Sequence, residues 1–384
     1  MRTIYCDHNS TTRTDPRVID AMQQASMEAG ANPSSGHRLG RKARVILDSA
    51  REEIASHLAA KASEIVLTGG GSESDNLAIL GSLYSPDARG KHCVTVATEH
   101  HAVLAAGEWA RRNGFEVTVL PVDRLGHIDV RRFAEALRPD TQIATIMLAN
   151  NEVGTLHPIR ELAEIAHDRG VIFHTDAVQA WGKIPVVREE LGADMLSLAS
   201  HKFYGPKGVG VLYVRGGIRL APIIQGGGQE MGRRAGTENI PGAVGTAAAM
   251  RILADDPDEM TRVAAIAADF RDRLTDGLDD IELFGDLEQR LPNTVSVGFA
   301  GVEGESLMIA LDLQGICVST GSACATGATK PSHVLVAMGV SQKYLRGSIR
   351  FSFGRESRPE DAAEIAGAVI TETRRLRAMA PTSA

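Results

Sequence analysis

The chain has 384 residues, 43% of them apolar and only 4% aromatic, enough for a sizeable aliphatic core in about two domains at roughly 100–200 residues each. Its 41 Lys and Arg against 48 Asp and Glu give a net charge of −7, which excludes the basic footprint needed for direct nucleic-acid recognition or for an anionic membrane surface. Cys6, Cys93, Cys317 and Cys324 are the four cysteines; with no C-x-x-C pair among them, a disulfide scaffold and a zinc ribbon are excluded.

No apolar run reaches the roughly 18 residues of a transmembrane helix. The opening segment, residues 1–7, lacks the apolar stretch of a secretory signal. A protein of the reducing cytoplasm, without a membrane partner, is the expectation.

In chain order, 16–29 and 39–60 read as amphipathic helices, the second with Ala43, Ile46, Leu47, Ala50, Ile54 and Leu58 on one face. Short Val- and Ile-rich runs follow at 64–68, 93–97, 116–120, 142–148, 171–175, 194–199 and 209–214. Helix-like stretches separate several of them, at 73–84, 100–113, 130–138 and 158–169. Buried strands alternating with helices predict an α/β domain with a mostly parallel seven-stranded sheet flanked by helices. In such a sheet ligands sit beyond the carboxyl ends of the strands.

After about residue 257 the pattern changes to a smaller α+β unit. A long helix at 259–279 precedes a strand at 294–299, where Val295, Val297 and Phe299 alternate as in a half-exposed strand. Helical 305–314, strand-like 316–319, helical 331–338, strand-like 348–353 and a last helix at 359–378 complete it.

Three segments at strand ends carry chemistry. In Thr68-Gly69-Gly70-Gly71-Ser72 a strand meets a glycine run and a helix start, an anion site by its N–H groups and dipole; alone, it is equally a tight turn with Ser72 as the cap. Asp176, closing the run His174-Thr175-Asp176, is either a cofactor carboxylate or a helix cap. Lys202, in Ser200-His201-Lys202-Phe203-Tyr204-Gly205, is either a Schiff-base lysine or a solvated charge.

Together they supply an amine for an imine, a carboxylate for a pyridine nitrogen and a helix start for a phosphate, the parts that pyridoxal 5'-phosphate requires. His100 follows the run at 93–97 and is placed to stack on the ring, and Asn151 follows 142–148 and is placed to donate to the ring hydroxyl. Around Cys324 the residues are small and polar, Ser319-Thr320-Gly321-Ser322-Ala323-Cys324-Ala325-Thr326-Gly327, which predicts a mobile, accessible loop and a reactive thiol. Cys93 and Cys317 read as buried and inert, while Cys6 stays ambiguous.

These motifs, in collinear order from about residue 4 to about 357, resemble the cysteine desulfurases: TGGGSESDN (68–76), EHHAV (99–103), ANNEVG (149–154), HTDAVQ (174–179), SHKFYGPKG (200–208) and STGSAC (319–324). The last is similar to the first of the two desulfurase groups, that of the NifS and IscS proteins, within the class-V aminotransferase superfamily. The resemblance implies the PLP-dependent transferase fold type I, with a large cofactor-binding domain at 15–257 and a small domain formed by 1–14 and 258–384 that carries the catalytic cysteine loop.

It further implies that Lys202 binds the cofactor and later moves the Cα proton. Asp176 pairs with the pyridine nitrogen, and Gln179 and Asn151 contact the ring hydroxyl. His100 stacks on the ring and acts as acid or base. Gly71, Ser72 and His201 hold the phosphate, and Thr237 reaches the phosphate of a partner subunit in a homodimer. Asn32 and Arg350 take the carboxylate of L-cysteine, and Cys324 receives the sulfur as a persulfide for an acceptor protein.

The family commonly has serine at position 199 and glycine or alanine at 200; here Ala199 and Ser200 stand there, with Ser200 the candidate for the missing phosphate hydroxyl although its side chain is expected to point elsewhere. The sequence ends soon after the last helix, without the extension that housekeeping members use to dock a scaffold. The acceptor is therefore open among cluster assembly, thiolation and DNA sulfur modification. The rival readings are an enzyme acting on selenocysteine, which a comparison of the two substrates separates, and a scaffold without catalysis, against which Lys202, Asp176 and Cys324 weigh.

Overall fold

A computed structural model of the chain describes residues 2–320 and 331–379. Among these residues the strands are β1 (Ile4–Tyr5), β2 (Ile65–Thr68), β3 (His92–Val96), β4 (Glu116–Leu120), β5 (Thr141–Thr145), β6 (Ile172–Asp176), β7 (Met195–Ala199), β8 (Gly210–Val214), β9 (Ile281–Leu283), β10 (Thr294–Phe299), β11 (Ile316–Cys317) and β12 (Ser348–Ser352). Strands β2 to β8 build one seven-stranded sheet in the order β2-β8-β7-β6-β5-β3-β4. The pairs from β4 through β3, β5 and β6 to β7 are parallel, and β8 runs antiparallel to both β7 and β2.

Alternation of side chains sends successive residues of the central strands into cores on opposite faces of the sheet. Cys93, Ile143, Met195 and Leu212 join a core with helices Gly71–Leu83 and His101–Arg112. Their neighbours Val94, Ala144, Leu196 and Val211 join a second core with helices Arg38–His57 and Ile159–Asp168. Both faces are covered along β2, β3 and β5 to β8, while the edge strand β4 is buried only at Leu120. Gly210 lets β8 pass the turn after β2: a Cβ there would lie 2.5 Å from the Gly70 carbonyl.

A further core unites Ile4 and Cys6 with Phe270, Val297, Phe351 and Ile365. It lies among β10, its neighbours β9 and β12, and helices Glu259–Gly277 and Pro359–Met379. β1 pairs in parallel with β11. The half-exposed strand expected at 294–299 is instead buried along its whole length. Its second face is closed by Phe284 and Tyr344, which leave no room for a side chain at Gly298, and by Asn9, whose Nδ2 donates to Thr294 Oγ1 at 2.9 Å.

Helix Ile240–Ala254 has no counterpart in the periodicity reading. It packs against helices Pro16–Glu28 and Arg38–His57, and burial on all sides leaves it no polar face to show a 3.6-residue repeat. Cys6 and Cys93 are buried, and burial pushes the Cys93 thiol up to about 12. Cys317, expected inside, is only half-buried, because β11 pairs with β1 alone and the thiol lies out towards Asp312. Among the described residues no helix is long and apolar enough to cross a membrane.

Candidate active site

The candidate residues converge beyond the carboxyl ends of the parallel strands. Lys202 closes the single 3-10 turn Ser200–Lys202 directly after β7. Its Nζ donates to the main-chain carbonyls of Asn9 at 2.6 Å and Ser10 at 2.8 Å. Asp176 ends β6 and is buried; its Oδ1 accepts the Val178 N–H at 2.8 Å, so one oxygen does the turn-capping that the plain reading of an aspartate expected. Burial pushes its carboxyl up to about 6 against the opposing pull of that N–H and of Lys202.

His100 caps helix His101–Arg112, Nδ1 accepting the Ala102 N–H at 3.1 Å. Burial, then the charge of Lys202, lowers it to about 4. The ring is neutral at pH 7, and with Nδ1 committed as acceptor the proton sits on Nε2. His201, also lowered to about 4 by burial and Lys202, places Nδ1 3.1 Å from Thr11 Oγ1.

The glycine turn after β2 leads into Gly71–Leu83, whose N-cap is Gly70 with no side-chain cap. The cap expected of Ser72 is thus two residues off; Ser72 stands exposed in the first turn. Gly70 has φ 151°, a conformation that favours glycine, and a Cβ on Gly71 would lie 2.9 Å from Val178 Cγ2. The result is an open helix start beside the Asp176 turn. Ala199 lines it, its Cβ 3.4 Å from where a Gly71 Cβ would stand. Ser200 is buried and turned the other way: Thr246 Oγ1, on helix Ile240–Ala254, donates to its Oγ at 3.0 Å.

Gln179 donates from Nε2 to the Asn9 carbonyl at 2.8 Å. Asn151 is half-buried, and its carbonyl accepts from Asn9 Nδ2 at 3.2 Å and from Arg350 Nη1 at 2.9 Å. Arg350, buried on β12, also donates from Nη2 to Asp7 Oδ1 and Ser10 Oγ, both at 2.8 Å, while its buried Nε has no partner among the described residues. Asn32 and Thr237 are not drawn into this network. Asn32 is exposed and caps its own turn through the Ser34 N–H at 2.8 Å, and Thr237 is exposed. Cys324 lies outside the described residues.

Sequence reading missed Asn9, the hub that joins Lys202, Gln179, Asn151 and Thr294. It also missed two buried acids beside the site. Glu99 accepts the Met147 N–H at 2.7 Å, and Asp75 lies 3.9 Å from His174 Nε2. Both are pushed up by burial and by the charge of Asp176. His174 is structural: it bridges Thr145 Oγ1 and Ser197 Oγ at 2.8 and 2.9 Å, and burial holds it at about 3.

Comparison with known proteins bears on this arrangement. The family model "Aminotransferase class-V" matches residues 4–365. A curated cysteine desulfurase IscS of Dictyoglomus turgidum is 44% identical over 381 residues, covering 99% of this chain and 97% of that one. The chain is a class-V aminotransferase of the cysteine desulfurase family. A solved NifS-like protein superposes on the desulfurase fold with a TM-score of 0.89 at 36% identity, covering 97% of this chain and all of the other. A structure described as SspA in complex with cysteine does so at 0.82 and 35%, covering 93% of this chain. The family depends on pyridoxal phosphate, and the donor set in this desulfurase fits that group. A buried carboxylate held above its ordinary pKa gains from a cationic ring nitrogen, an uncapped helix start takes a phosphate, and an amine stands at the neighbouring strand end.

Proposed function

We propose that the protein takes the sulfur of L-cysteine, releasing L-alanine and leaving a persulfide on Cys324 that passes to an acceptor. The observation that carries this reading is the placement of Lys202 and Asp176 at adjacent strand ends facing the open start of helix Gly71–Leu83. In the overall exchange the carbon–sulfur bond of cysteine breaks and a sulfur–sulfur bond forms on Cys324. The carbon is reduced as it gains a hydrogen, the transferred sulfur is oxidised to the same extent, and no outside oxidant is required.

Pyridoxal phosphate, when bound, supplies the electron sink for this cleavage. Lys202 would tether it, and Lys202 Nζ then takes the Cα proton. Asp176 would hold the ring nitrogen, Gln179 and Asn151 the ring hydroxyl, and Gly71, Ser72 and His201 the phosphate. His100, neutral with its proton on Nε2, would cover the ring and serve as acid or base beside it. Arg350, held through both terminal nitrogens by Asp7, Ser10 and Asn151, would take the substrate carboxylate by exchanging those partners for it. Asn32 is assigned to the same carboxylate, which requires its turn to approach.

Two further elements belong to the proposal. Residues 1–14 and 258–384 act as a small domain apart from 15–257, supported by a core that joins Ile4 and Cys6 only to residues from Val263 onward. A homodimer places the exposed Thr237 against the phosphate of a second copy. The test is reduction of the pyridoxal-phosphate-loaded protein with borohydride and mapping of the fixed group: it is expected on Lys202, and its absence there overturns the reading.

A further inference from the structure

Lys183 is a second lysine beside the site and, unlike the half-buried Lys202, is buried. Its Nζ donates to Gln179 Oε1 at 2.5 Å and to Asn9 Oδ1 at 3.1 Å, and the residue is only 7% exposed. No ion pair joins it to a carboxylate among the described residues. The charges facing it are those of Lys202 and Arg350, with His8 and His201 nearby, each lowered in part by Lys183 itself. Burial between two cations holds this amine well below the ordinary lysine value, so the neutral form avoids an unpaired buried charge.

The two ends of a glutamine amide are chemically opposite, and here both are fixed. The Asn9 carbonyl can only accept, so Gln179 must present Nε2 to it; Oε1 then faces Lys183, the donor that satisfies it. The Asn9 carbonyl that takes Gln179 Nε2 at 2.8 Å is the one that takes Lys202 Nζ at 2.6 Å. A chain of four groups thus runs from Lys183 through Gln179 and Asn9 to Lys202.

We propose that Lys183 is a positioning residue that anchors the oxygen end of Gln179 and so keeps its second Nε2 hydrogen turned to the ring oxygen of the cofactor. This rests on the reading that pyridoxal phosphate is bound at Lys202. A donor to the ring oxygen draws on the charge that otherwise holds the proton of the neighbouring Lys202 linkage. Losing that donor tightens the linkage proton.

The experiment is a pH titration of the visible band of the loaded protein, without substrate. Lys183→Met is expected to raise the midpoint by about one unit, a tenfold change in proton affinity. In a Gln179→Leu background the same substitution is expected to add no further shift. An unchanged midpoint, or an equal shift in both backgrounds, overturns the inference. If Lys183→Met gives no folded protein, Lys183→Gln enters the same cycle with a smaller rise expected, and an unmoved midpoint again overturns it. Where the unaltered protein takes up no cofactor on Lys202, the underlying functional reading fails as well; where it does and the midpoint stays, only the role of Lys183 falls.

Discussion

Lys202 Nζ and the main-chain carbonyl of Asn9 are joined at 2.6 Å, across 193 positions of sequence. The amino-terminal segment therefore forms one wall of the site rather than merely leading into the fold. Asn9 holds that wall in place with its side chain, which accepts from Lys183 and Asn293 and donates to Thr294 and Asn151.

Asn9→Ala keeps the carbonyl but strips those side-chain bonds from a buried position. We expect a loss of about 2–3 kcal/mol in stability, since each buried group left unsatisfied costs about 1–3 kcal/mol. Urea unfolding of the two proteins measures it, and a change below the error of the method contradicts the hub role.

Asp176→Asn retains the shape at the end of β6 and removes the negative charge. Turnover of L-cysteine should fall at least about a hundredfold, or about 2.7 kcal/mol in barrier, with pyridoxal phosphate still bound. Near-normal turnover with bound cofactor would show that the carboxylate is not the group that matters.

Ala199→Ser introduces a hydroxyl where the Ala199 methyl faces the Gly71 turn. One added hydrogen bond to a phosphate, worth about 1 kcal/mol, should tighten the cofactor dissociation constant about fivefold. Ser200→Ala should leave that constant unchanged, because the Ser200 hydroxyl is engaged with Thr246. Equilibrium dialysis with the two variants distinguishes the positions; a weakening in Ser200→Ala alone would reverse the assignment.

The pH response can be isolated at His157, which is fully buried with neither ring nitrogen partnered among the described residues. Burial lowers it from 6.5 to about 4. The unfolded chain takes up its proton as pH falls through 6.5 while the native state does not, so this stability is lost progressively from there down to about pH 4. Asp176 and Glu152, raised to about 6 by burial, act in the opposite sense over the same interval. His157→Leu removes only the histidine contribution. Relative to the unaltered protein it should gain up to about 2 kcal/mol between pH 7 and pH 5, and a parallel pH dependence in the two proteins would contradict the buried neutral ring.

The positions of β2, β3 and β5 to β8 were legible in the sequence because burial on both faces leaves short, largely uncharged runs with apolar residues on either side, and the groups at their ends stand out against them. Lys202, Asp176 and His100 were readable for that reason. Helix Ile240–Ala254 was not, since burial all round erases the periodicity on which helix reading depends. Asn9 was hidden differently: its contacts to Lys202 and Gln179 use a main-chain carbonyl that any residue possesses. Lys183 carries no signal of its own, as only the fold shows that it is buried. Ser200 lies in the expected turn, and its side chain points away from the helix start, as expected, towards Thr246 of helix Ile240–Ala254.

The central claim is sulfur transfer from cysteine to the chain itself. Loaded protein is exposed to L-cysteine without an acceptor, and both the released amino acid and the peptide bearing Cys324 are analysed by mass spectrometry. The account predicts L-alanine together with a gain of one sulfur atom on Cys324, and neither product in Lys202→Ala. Alanine formed at an undiminished rate by Cys324→Ala, or sulfur found on Cys317 in place of Cys324, would contradict it.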